Sequence, residues 1–138
     1  MKLKSAFLAL VVAAAVATPA AYARSDVLTF PIAPVMETAD YKANIGDFKF
    51  EFGGKARGAS LGSTTSQRPA NGFGKKPEVA CGRALLNTLI ALKNDAIAHN
   101  GTSVQGITSG ENFSSATEFQ CTSGGSNARV HLVGTIVK

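Results

Sequence analysis

Residues 77–101 read PEVACGRALLNTLIALKNDAIAHNG, and the spacing of the apolar side chains in this stretch decides the fold class. Cys81, Leu85, Leu89, Leu92 and Ala96 recur every three or four positions. Leu86, Ile90 and Ile97 widen the stripe, while Arg83, Asn87, Lys93, Asn94 and Asp95 fall largely on the other side. That period is helical. Pro77 suits a first turn, Glu78 complements the positive helix N-terminus, and Asn100-Gly101 supplies a C-terminal cap. A helix this long with one apolar face implies a sheet beneath it.

Downstream, three short strands are expected near Val104–Thr108, Ala116–Cys121 and Ala128–Val137, separated by Glu111-Asn112 and by the turn-forming TSGGSN of residues 122–127. In the last strand Val130, Leu132, Gly134 and Ile136 share one face, and Arg129, His131, Val133, Thr135 and Val137 the other. Upstream, Phe48, Phe50 and Phe52 alternate with Lys49 and Glu51, a strand pattern ended by Gly53 and Gly54. Val27–Val35 (VLTFPIAPV) is apolar but contains Pro31 and Pro34, which fits an extended edge segment. Residues 53–77 are rich in Gly, Ser, Thr and Pro and show little periodicity. They read as a long polar loop that a short strand near Ala59–Leu61 could subdivide, and loops of this kind tend to be functional or mobile. The order predicts an α+β fold: a small antiparallel-rich sheet, one long helix packed on it, and one disulfide.

The first 23 residues have the three parts of a secretory signal. Lys2 and Lys4 form a basic start, and Ala6–Ala17 is an apolar run of 12 residues. A bilayer-spanning helix needs roughly 20. Ala21-Tyr22-Ala23 places small residues where a signal peptidase reads, so cleavage is expected between Ala23 and Arg24. The remaining residues 24–138 suit one small domain, in the periplasm or outside the cell, with no membrane anchor left after cleavage. The formal charge of the chain is +5, and +3 with Lys2 and Lys4 left out. Its basic residues are dispersed rather than gathered in a stripe, so no nucleic-acid partner is expected.

Cys81 and Cys121 are the only cysteines. In an exporting compartment an even count reads as a bridge, and one pairing exists. The alternative is a periplasmic thiol or metal sensor, although neither cysteine belongs to a C-x-x-C pair and neither has a histidine at ligand spacing. Gly72-Phe73-Gly74-Lys75-Lys76 precedes the helix as a phosphate-binding loop would, but G-x-x-x-x-G-K-[ST] requires glycine where Pro69 stands and a hydroxyl where Lys76 stands. His99 fits the helix C-terminus and His131 a strand interior, and no nucleophile elbow is present. No catalytic, cofactor or metal residue is assigned. A second alternative, an enzyme of unfamiliar type, would use His131 or His99 with a nearby carboxylate and requires the two histidines to converge on a cleft.

Four segments resemble small exported proteins of Gram-negative bacteria that often carry the label "excinuclease ATPase subunit". They are Asn71-Gly72-Phe73-Gly74-Lys75; Cys81 with Ala84, Leu85, Leu89 and Ile90; Asn100-Gly101-Thr102-Ser103-Val104; and Ser115-Ala116-Thr117-Glu118-Phe119-Gln120-Cys121. The label implies a DNA-repair ATPase, which the missing nucleotide loop and the export signal disfavour. The helix, the turn into a strand and the cysteine-bearing strand are also similar to the fold of the Rcs-pathway stress-sensor lipoprotein and its periplasmic relatives. That similarity implies interaction rather than catalysis, with an envelope protein or cell-wall component as partner.

Overall fold

The computed structural model describes residues 25–138. The expected signal segment and its expected Ala23–Arg24 cleavage point lie outside the described residues. The chain runs β1 (Asp26–Pro31), α1 (Ala33–Met36), α2 (Ala39–Ile45), β2 (Lys49–Phe52), β3 (Ser60–Asn71), α3 (Pro77–Ala98), β4 (Ser103–Ser109), β5 (Glu118–Gly124) and β6 (Asn127–Val137). This is the α+β architecture expected, with α3 as its one long helix.

The sheet has six strands in the order β1-β5-β6-β4-β2, with β3 also on β6. Strand β6 is the axis. β3 pairs antiparallel with its whole length, from Asn71↔Asn127 to Ser60↔Val137. β5 takes only Asn127–Arg129, and β4 takes Leu132–Val137. The sheet therefore forks along β6 into a β5–β1 arm and a β4–β2 arm. The β2–β4 pairing alone is parallel, because the chain between them passes through β3 and α3.

Val137 is buried at the end of β6, and alternation along the strand buries the opposite, expected face of Val130, Leu132, Gly134 and Ile136 together with Ala128. Helix α3 covers that face with Cys81, Ala84, Leu85, Thr88, Leu89, Leu92 and Ala96. Ile97, expected to widen this stripe, is instead 53% exposed in the last turn. Asn100 takes the left-handed conformation (φ 61°), and the Gly101 N–H donates to the Ala96 carbonyl at 2.8 Å, closing the helix. A Cβ on Gly101 would collide with Cγ2 of Ile136, so glycine lets the exit pass close over β6. The Cys81–Cys121 disulfide, with Cα atoms 5.8 Å apart, joins the start of α3 to β5.

Two expectations are corrected. Residues 53–77 are not one loop, because Ser60–Asn71 form the longest strand of the sheet. It escaped the hydrophobic pattern because only Thr64 and Ala70 along it are buried. Thr64 is held by a 2.6 Å hydrogen bond to the Asp95 carboxylate on α3 rather than by apolar contact. Likewise, Val27–Val35 is not extended throughout. Its strand stops at Pro31, and Pro34 sits in the first turn of α1, where a missing N–H costs nothing.

Candidate functional site

Phe30 of β1 lies opposite Phe119 of β5 in register, with ring centroids 6.3 Å apart. Phe119 is fully buried, whereas Phe30 is half-buried at the edge of the core. Immediately after Phe30, Pro31 ends the strand and Ile32 turns inward, donating its N–H to the Thr117 carbonyl. The chain then folds back as α1, which sets Val35 against α3. The contact is close: a Cβ on Gly82 would come 3.3 Å from Cγ2 of Val35. Thr38 begins α2 by accepting the Tyr41 N–H on its hydroxyl oxygen.

These turns leave a groove of about 450 Å³ between the β1–α1 segment and the first turns of α3. Phe30, Pro31, Val35, Val79, Leu86 and Phe119 supply its apolar lining, and Asp40, Glu78 and Arg83 supply charge. Among the described residues none of these three charged groups takes part in a salt bridge, so they remain available to a ligand. Cys121 lies two positions beyond Phe119, and Cys81 lies between Val79 and Gly82. The disulfide therefore ties α3, one wall of the groove, to β5, the strand whose Phe119 adds to the lining. Cys81 and Cys121 are 0% and 1% exposed, which shields the bond from thiols in solution.

The other candidate residues are dispersed. His131 sits on the sheet face away from α3, its Nε2 3.1 Å from Thr65 Oγ1 and its Nδ1 3.3 Å from the Gly110 carbonyl. It lines a small cavity of about 190 Å³ with Glu111, Gln67 and Arg129. His99 is exposed at the end of α3, where Nδ1 is 2.8 Å from the Asp95 carbonyl oxygen. The two histidines thus occupy opposite sides of the sheet and share no cleft. Among the described residues no group of three or more His, Cys, Asp or Glu is placed to hold a metal ion.

The Gly72–Lys76 segment forms a tight turn. Phe73 donates its N–H to Asn71 Oδ1 at 3.0 Å, and Lys75 donates its N–H to the Gly72 carbonyl at 3.1 Å. Those two N–H groups are spent within the turn and are not available to a phosphate. Sequence reasoning missed the groove because its two walls are about 50 residues apart and meet through the packing of α1 and α2 on α3, which no local pattern reports. The available signal was the proline pair in an apolar segment, which marks a chain that leaves the sheet early.

Comparison with family models, with curated proteins and with solved structures gives no match to this chain.

Proposed function

We propose that this chain is an exported periplasmic binding module that holds an apolar group of an envelope partner in the groove between β1–α1 and α3, without chemically changing it. The groove carries the reading: a concave apolar surface with a few charges at its margin is the usual form of a binding site. Its apolar lining favours a protein side chain or an acyl group over the polar glycan of the cell wall. Export is supported by the signal-like pattern of residues 1–23 and by an even number of cysteines. Among the described residues no helix is long and apolar enough to cross a membrane. The resemblance to small exported proteins and to the Rcs-pathway fold is in keeping with this reading. The DNA-repair ATPase label is not, because Pro69 and Lys76 break the nucleotide motif. The burial of the disulfide favours a structural bridge over a thiol sensor, since exchange requires access.

The test is titration with the apolar fluorophore N-phenyl-1-naphthylamine, comparing the wild type with Val35→Glu and Val79→Glu. Val79 is 45% exposed and Val35 half-buried, so both variants keep the central core intact. Binding that falls at least about ten-fold in both variants supports the groove, since a buried unpaired charge costs several kcal/mol. Equal binding by all three proteins would place the probe elsewhere and remove the reading.

A further inference from the structure

The end of the molecule farthest from the α3 C-terminus gathers three chain segments. Gly124 pairs with Asn127 at the tip of the β5–β6 hairpin, and Asn71 pairs with Asn127 from the other side. The Gly72 N–H donates to the Ser126 carbonyl at 2.7 Å, fixing the β3–α3 turn to the hairpin. Asp26, where β1 begins, pairs with Ser123 beside the same hairpin. At this end stands Phe73, 80% exposed, the most exposed large apolar side chain among the described residues.

Phe73 is not held out by a slack loop. Its N–H is tied to Asn71 Oδ1, Lys75 closes the turn onto Gly72, and Gly74 has φ 68°, a conformation that favours glycine. Lys75 and Lys76 follow Gly74 and carry no ion pair among the described residues. Val79, 45% exposed, adds apolar surface one turn into α3; Glu78 is the acid nearest in sequence, and Asp26 pairs with Ser123 beside the same hairpin.

We propose that this end docks on an anionic lipid bilayer, with Phe73 inserted among the headgroups and Lys75 and Lys76 paired with lipid phosphates. A protein interface needs a patch of roughly 800 Å² on each side, whereas one projecting aromatic followed by two lysines suits a reversible interfacial contact. The inference uses the exported address; it rests on Phe73, Lys75 and Lys76, none of which lines the groove.

The chain contains no tryptophan, so Phe73→Trp introduces a single reporter at a position outside the core. Residues 24–138, the form expected after cleavage, are mixed with vesicles containing phosphatidylglycerol, with vesicles of phosphatidylcholine alone, and with vesicles whose acyl chains carry bromine. The expected result is a blue shift and bromine quenching on the anionic vesicles. Adding Lys75→Glu and Lys76→Glu to that variant raises the lipid concentration needed at least ten-fold, since each lysine near such a surface is worth about five-fold. Ile97→Trp, at the other end of α3, keeps a solvent-like emission throughout. Three results each overturn the proposal: emission at 73 unmoved by vesicles, which leaves Phe73 as a protein contact; equal quenching at 73 and 97; or indifference to the charge reversal.

Discussion

The hydroxyl oxygen of Thr88, in the middle of α3, lies 2.9 Å from the carbonyl oxygen of Val130 on the central strand. The same oxygen is 2.9 Å from the Ala84 carbonyl and accepts the Arg68 N–H at 3.2 Å. Thr88 is fully buried, and Arg68 and Val130 are partners in the β3–β6 ladder. One helix side chain thus reaches into the hydrogen bonding of two strands and fixes the rotation of α3 over the sheet. Asn87, its neighbour, donates to the Pro69 carbonyl and holds the same part of β3 from its edge.

Thr88→Val preserves shape but strands the Arg68 N–H and the Val130 carbonyl in a buried site. The expected loss is about 1–3 kcal/mol, the usual cost of leaving such groups unpaired. Urea denaturation would show it as a lower midpoint at unchanged slope. Thr88→Ser keeps the hydroxyl and loses less. If Val is no worse than Ser, the hydroxyl does not hold the helix to the ladder.

The disulfide closes a separation of 40 residues, for which chain entropy gives on the order of 4 kcal/mol of stabilisation. The double variant Cys81→Ala/Cys121→Ala is expected to lose most of that, a large part of the stability of any small domain. Because both cysteines are buried, dithiothreitol under native conditions is expected to cleave the bridge no faster than the protein opens. Following thiol release alongside unfolding checks this. Release much faster than opening would revive the thiol-sensor reading.

The elements legible in the sequence are those whose burial is apolar and whose partners lie close along the chain. Leu85, Leu89 and Leu92 announced α3, Val130, Leu132 and Ile136 announced β6, and two cysteines left one pairing. β3 was hidden because its covered face is anchored by hydroxyls, Thr64 to Asp95 among them, which hydropathy does not register. α2 was overlooked although Thr38, Asp40 and Gly46 mark its start and end, because seven residues span too few turns to show a period. The parallel β2–β4 pairing and the groove depend on contacts between distant segments. Local pattern carries no information about either.

Gly134 faces the core from β6, and a Cβ there would meet Val104 Cγ1 at 2.6 Å and Ile107 Cγ1 at 3.1 Å. Gly134→Ala is therefore expected to destabilise by about 1–3 kcal/mol through overpacking, despite the better strand propensity of alanine. Val104→Ala on the same background opens room and is expected to recover part of the loss. A double variant no better than the sum of the singles would show that the crowding lies elsewhere.

Tyr41, half-buried on α2 and packed against the core, has its phenol pushed above the ordinary 10.0 by desolvation. The phenol loses a proton to become charged, so burial favours the neutral form in the folded state. Below about pH 10 both states keep the proton and Tyr41 adds no pH dependence. Above that the unfolded chain ionises first and binds fewer protons than the native one, so stability falls as pH rises from the unfolded toward the folded value. Tyr41→Phe is expected to flatten this alkaline decline relative to the wild type. Urea unfolding of both proteins between about pH 8 and pH 11 would reveal the difference, since the lysines are common to both. The phenolate absorbance of native protein, compared with the urea-unfolded chain, gives an independent reading. Tyr22 is the other tyrosine, and it precedes the expected cleavage point, so the processed chain titrates Tyr41 alone. Coincident native and unfolded midpoints would mean that α2 does not stay packed against α3 in solution, and would put the α2 margin of the groove in question as well.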